Sequence, residues 1–124
     1  MRKFDNDILP HLNQECKGEA IHFVGLGAYD FQLSFGGLVR IQTMEKAAFS
    51  LNNRQFTWEE GPNEIPVWLL IGQTPESFEL PTLLTLRMNL RSGDYVDFFT
   101  DESPYEAVII EFTPQGDSRV MEIY

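Results

Sequence analysis

In Tyr29-Asp30-Phe31-Gln32-Leu33-Ser34-Phe35 every odd position is apolar and every even position is polar. A period of two puts one face of an extended segment into a core and the other toward water, so this stretch predicts a strand. Alternation resumes after Gly36-Gly37 with Val39 and Ile41 around Arg40, which predicts a hairpin. For Val39 and Ile41 to share a face with Leu33 and Phe31, paired residue numbers must sum to an even value. The loop then holds an odd number of residues, and a three-residue loop with Gly37 left-handed meets that condition.

The pattern returns at Leu84, Leu86, Met88 and Leu90, which alternate with Thr85, Arg87, Asn89 and Arg91. Ser92-Gly93 supplies the turn, and Asp94 to Asp101 comes back with Val96 and Phe98. A three-residue loop Arg91-Ser92-Gly93 pairs Met88 with Val96 and Leu86 with Phe98. On the other face it sets Arg87 opposite Asp97, a favourable cross-strand charge pair. Each hairpin is followed by a third strand-like segment, Ala47 to Leu51 and Tyr105 to Phe112. The expected fold is mainly β: an antiparallel, degenerate duplicated β-meander, either a sandwich or a partly open barrel. At most one or two short helices accompany it.

The remaining segments read as follows. Residues 1–18 form an N-terminal arm or a short helix, with Leu9, Leu12 and Cys16 near one face and Gly18 as a stop. Ala20 to Leu26 reads as a strand in which His22 is half-buried. Residues 59–66 form a loop between the half-repeats, marked by Gly61, Pro62 and Pro66. Val67-Trp68-Leu69-Leu70-Ile71 is apolar throughout, hence a strand buried on both faces or one buried helical turn. Thr74-Pro75-Glu76 resembles a helix start, and Val120 to Tyr124 reads as a last edge strand. All of this fits a single domain spanning residues 1–124.

Charge narrows the class of partner. The net charge is -10 and the isoelectric point about 4.5. Through Trp58 acids and bases balance; from Glu59 onward thirteen acids face only Arg87, Arg91 and Arg119. A nucleic-acid binder needs a basic footprint, so nucleic acid is excluded as a partner, and so is an anionic membrane surface. With apolar residues at 43% and aromatics at 13%, a real core is expected rather than disorder. Cys16 is the only cysteine, no apolar segment follows the basic start, and no long apolar run occurs. These features point to the cytoplasm.

Candidate chemistry is sparse. His11, His22 and Cys16 show no zinc spacing. Asp94, Asp97, Asp101 and Glu102 are dense enough for calcium, but they lack its loop spacing and Asp94 and Asp97 fall on opposite strand faces. Gly25-x-Gly27 and Gly36-Gly37 belong to turns rather than to a phosphate cradle. No catalytic constellation, cofactor or metal is expected. What remains is surface: Tyr95, Asp97, Phe99 and Asp101 on the outward face of the second hairpin, with Glu102 beside them and Glu59, Glu60 and Glu64 in the preceding loop. Aromatics among charges are what protein interfaces favour.

The layout Leu-x-Leu-x-Met-x-Leu, turn, Tyr-Val-x-Phe-Phe, then Pro104-Tyr105-Glu106-Ala107, an aliphatic strand, a glycine turn and a final strand resembles a family of small bacterial β proteins. That family resembles immunity proteins, met beside polymorphic or contact-dependent growth-inhibition toxins. The likeness spans roughly residues 20–124 and departs at Val108, where many relatives carry an aromatic. It implies a cytoplasmic immunity protein that binds and neutralises a cognate, basic toxin domain, and it brings no catalytic residue. Two alternatives are a structural or adaptor module that homodimerises through an edge strand, and a small-molecule-binding β-barrel with a pocket lined by Trp58 or Trp68.

Overall fold

The computed structural model describes residues 3–59, 64–100, 107–112 and 121–124. In chain order the elements are α1 (Ile8–Gln14), β1 (Ile21–Leu26), β2 (Phe31–Phe35), β3 (Leu38–Thr43), β4 (Lys46–Leu51) and β5 (Arg54–Glu59). A 3-10 turn (Val67–Leu70) follows, then β6 (Pro75–Thr82), β7 (Thr85–Leu90), β8 (Tyr95–Phe99), β9 (Val108–Phe112) and β10 (Met121–Ile123). The protein is mainly β and wholly antiparallel among these strands, in two five-stranded sheets ordered β1-β2-β3-β9-β10 and β5-β4-β8-β7-β6. Among the described residues neither sheet closes on itself, so the strands form two antiparallel sheets and no closed barrel.

The second hairpin has the expected register: Met88 pairs with Val96, Leu86 with Phe98 and Arg87 with Asp97. Leu90 N–H donates to the Asp94 carbonyl and Gly93 sits at φ 97, as a three-residue loop requires. The first hairpin departs from expectation at its tip. Leu33 pairs with Ile41, an even sum, but Phe35 pairs with Leu38 across a shift in register. The loop is therefore Gly36-Gly37, with Gly36 rather than Gly37 left-handed, at φ 51. A bulge absorbs the extra residue and restores parity farther down the strands.

A stricter form of duplication than a meander emerges from the strand order. Each half places its first three strands in one sheet and its last two in the other: β1–β3 with β9–β10, and β6–β8 with β4–β5. The seams are the β3–β9 and β4–β8 pairs. The small elements follow the same exchange, since α1 packs on β6 and the 3-10 turn on β1. The third segments thus do not extend the hairpins that precede them; they cross to the opposite layer.

Between the layers lies one aromatic core. Phe31 of β2 meets Phe49 of β4 edge-on at 5.0 Å and stacks on Phe98 of β8 at 6.2 Å, while Phe35 stacks on Phe78 of β6 at 6.0 Å. Phe4, Ile8 and Leu12 add the N-terminal segment to this core, so Ile8 with Leu12, four residues apart, forms the buried stripe of α1. Leu9 and Cys16 only flank it.

Several middle segments differ from expectation. Tyr29 lies outside β2 and is 69% exposed, because the chain turns there, with Gly27 N–H donating to the Asp30 carbonyl. Thr74-Pro75-Glu76 begins a strand, not a helix. Pro75 and Pro81 both lie in β6, an edge strand where missing N–H groups cost little. Asn13 of α1 covers that edge: its Oδ1 accepts from Phe78 N–H at 2.7 Å and its Nδ2 donates to the Phe78 carbonyl at 3.4 Å. The amide thus stands in for a neighbouring strand. The apolar run Val67 to Ile71 buries Leu70 alone and leaves Trp68, Leu69 and Ile71 exposed.

Gly93 has open space where a Cβ would go, so substitution there meets only the left-handed backbone penalty. Gly93→Val is expected to lower stability by about 1–2 kcal/mol in urea denaturation, and an unchanged midpoint would contradict the loop geometry.

Candidate partner-binding surfaces

Pairing across β5-β4-β8-β7-β6 stacks outward side chains in rows. One row runs Glu59, Lys46, Phe99, Thr85; the next Thr57, Ala48, Asp97, Arg87, Glu79; the third Gln55, Ser50, Tyr95, Asn89, Ser77. Tyr95, Asp97 and Phe99 therefore share one face, with Glu59 at its corner. Glu64 is exposed beside the 3-10 turn. Glu60, Asp101 and Glu102 lie outside the described residues.

Arg87 dominates the centre of this face. Its Nε donates to Asp97 Oδ1 at 2.8 Å and its Nη2 to Oδ2 at 2.9 Å, a two-pronged pair. Its guanidinium also lies 4.1 Å from the centroid of the Tyr95 ring, within cation–π range. The Asp97 hydrogen bonds hold the guanidinium above its ordinary pKa despite partial burial. Asp97 is only 6% exposed, and both of its oxygens are engaged. Tyr95 donates its hydroxyl to Gln55 Oε1 at 3.1 Å, and Lys46 Nζ lies 5.2 Å from the Phe99 centroid. Both rings are half-buried, each with a cation of its own sheet beside it. Asp94 is engaged at the end of the third row: it accepts from Ser50 Oγ and from Asn52 N–H, bracing the β4–β5 turn where Asn52 and Asn53 are left-handed.

Three further surfaces were not singled out by the sequence pattern. Phe23 and Leu26 of β1 are 46% and 37% exposed, and Trp68 on the adjacent 3-10 turn is 66% exposed. Backbone bonds from Ile21 N–H to the Gln73 carbonyl and from Gly72 N–H to the Ile21 carbonyl join the two segments. The unbroken apolar run Val67 to Ile71 was the signal available for this patch. Asp5, Asp7, His11, Glu122 and Tyr124 line a cleft of about 210 Å³, and burial with the added charge of Asp5, Glu122 and Asp7 pushes the Tyr124 phenol up. A second cleft of about 330 Å³ is lined by Met44, Glu45, Lys46 and Glu59. Trp58 is fully buried in the core and Trp68 lies on the surface, so the two tryptophans share no pocket. His22 is exposed rather than half-buried.

Among the described residues, no group of three or more His, Cys, Asp or Glu side chains is placed to hold a metal ion. No helix among them is long and apolar enough to cross a membrane. Comparison with protein-family models, with curated proteins and with solved structures finds no match for this chain.

Two outcomes follow from these contacts. Arg87→Ala strips the charged donors from a buried carboxylate and is expected to destabilise the fold by about 1.5–3 kcal/mol, read from the denaturation midpoint. Burial, reinforced by Glu15, raises the Cys16 thiol from 9.0 to about 11. Its thiolate fraction near pH 8 is thereby cut about a hundredfold, and alkylation by iodoacetamide should be slower in the native chain than in urea by a comparable factor.

Proposed function

We propose that this chain is a cytoplasmic immunity-type protein that binds and neutralises a cognate, basic toxin domain. The observation that supports this reading is an acidic surface short of internal counter-charge. Among the described residues the close ion pairs are Arg40–Glu111 and Arg87–Asp97, and Arg87 is one of only three bases in the second half of the chain. Glu59, Glu64, Glu76, Glu79 and Glu122 meanwhile face solvent. Toxin domains that act on nucleic acid are basic, and an acidic partner both steers their approach and covers their substrate-facing surface.

Geometry divides the labour between charge and packing. Exposed acids at the sheet margins, Glu59 and Glu64 among them, suit long-range attraction. Tyr95 and Phe99 offer half-buried rings that need little ordering on contact, and such anchors act mainly on dissociation. Asp97 serves as the fixed base under Arg87 and Tyr95 rather than as a free acid.

The test is a binding titration against any domain of basic toxin type encoded next to this chain's gene, at two salt concentrations. Wild type is expected to associate more slowly as screening rises toward a Debye length of about 8 Å. Glu59→Lys combined with Glu64→Lys should slow association by about tenfold with little change in dissociation. Equal rates and equal salt dependence for the two proteins would remove these acids from the interface. Failure of the neighbouring domain to bind at all would count against the immunity reading.

A further inference from the structure

Tyr124 carries a polar group that the fold leaves without a partner. The residue is only 6% exposed. Its N–H donates to the Val108 carbonyl at 2.8 Å, its carbonyl accepts from Ala107 and Val108 N–H, and its ring lies 4.8 Å from that of Phe4. Phe4 is held in turn by its N–H, which donates to the Leu83 carbonyl at 2.8 Å. The phenol oxygen nevertheless makes no hydrogen bond. Nor is it sealed into the core: among the described residues, the closed-off side-chain atoms without a hydrogen bond are Arg40 Nε and Trp58 Nε1. Tyr124 Oη therefore opens into the cleft of about 210 Å³ that the residue lines. Buried hydroxyls ordinarily find a partner, and this one is free to bond a molecule that enters.

The rest of the cleft is acidic. Asp5, Asp7 and Glu122 line it with Ile8 and His11, and the described residues around it include no lysine or arginine. None of the three carboxylates makes an ion pair or a side-chain hydrogen bond. Asp7 occupies the N-cap position of α1 without capping it, so helix capping does not account for its place. Burial raises the Tyr124 pKa, and Asp5, Glu122 and Asp7 raise it further, which sets the neutral hydroxyl within the field of the acids. His11 closes one side, its ring edge-on to Phe112 at 6.2 Å.

We propose that this cleft binds a guanidinium group, with Asp5, Asp7 and Glu122 as counter-charge and the Tyr124 hydroxyl as a further acceptor. Unpaired acids around an unpartnered oxygen call for a cation that brings hydrogen-bond donors. A bare metal ion does not fit, because these carboxylates and His11 are not placed to converge on one small ion. A guanidinium carries five N–H donors spread over a planar fork, so it can reach acceptors that stand apart. It is also more weakly hydrated than an ammonium, and so loses less on leaving water for a wall formed by a buried ring. The cleft is smaller than the roughly 300 Å³ at which pockets for drug-sized ligands begin, which suits a single head group. Two sources carry that group, a small free guanidine and an arginine of a polypeptide, and the cleft would meet the same atoms in each.

The site stands apart from the toxin reading, since small probes test it without any toxin domain. Methylguanidinium added to the full chain is expected to shift the amides of Asp5, Asp7, His11, Glu122 and Tyr124, saturating with a Kd in roughly the millimolar range. Tetramethylammonium has the same charge and no N–H donor, and should bind at least about tenfold more weakly. Asp7→Asn with Glu122→Gln alters exposed side chains, and Tyr124→Phe removes only the unpartnered oxygen. Each variant should keep the melting temperature and weaken methylguanidinium by at least about fivefold. Glu59→Gln with Glu64→Gln removes as much charge outside the cleft and should change the affinity by less than about twofold. N-acetylarginine amide separates the sources. Tighter binding than methylguanidinium assigns the site to a peptide arginine and weaker binding to a small free guanidine, and either supports the proposal. Absence of saturable shifts at these amides up to about 100 mM methylguanidinium overturns it. Equal affinity for tetramethylammonium, or unchanged affinity in either cleft variant, also overturns it.

Discussion

The architecture depends on two seams, β3 against β9 and β4 against β8, where strands from opposite halves of the chain are hydrogen-bonded. At their middles Ile41 faces Ile110 and Phe49 faces Val96, so the seams carry core side chains as well as backbone bonds. Neither five-stranded layer can be completed by one half alone. The ring cluster of Phe31, Phe49 and Phe98 then ties the layers face to face. The rows on the outer face follow from the same pairings, because Lys46 reaches Phe99 only when β4 is held beside β8.

The second hairpin was readable in the sequence down to its register, because strict alternation and a Ser-Gly turn leave only one parity. The Arg87–Asp97 contact followed from that register. The crossing of β4 and β9 was not readable, since period two says which face of a strand is buried and nothing about which sheet receives it. Parity also fails where a bulge intervenes. Ile21 and Phe23 are two apart, yet a register shift between them leaves Ile21 in the core and Phe23 on the surface. At β6, Pro75 imitated a helix start because proline suits both a first helical turn and an edge strand.

Of the candidate surface, the grouping of Tyr95, Asp97 and Phe99 was legible because residues two apart share a strand face. Their chemical state was not. Only the folded structure shows that Arg87 engages both oxygens of Asp97, and that Tyr95 and Phe99 each lie beside a cation. The exposure of Trp68 was hidden for a different reason. A run apolar at every position looks fully buried by composition, but a single 3-10 turn has only one side to bury, and Leu70 takes it.

The exchanged halves also set the order in which the chain can acquire structure. When the ribosome has delivered β1 to β5, β3 has no β9 and β4 has no β8, so the nascent chain holds two incomplete layers with open inner edges. Seam pairings such as Ile41 with Ile110 span most of the chain, and contacts of that sequence separation make folding slow. Neither layer can therefore be completed before the second half of the chain is made. Its nascent first half, neutral in net charge and rich in aromatics, is where crowding and chaperone capture would act.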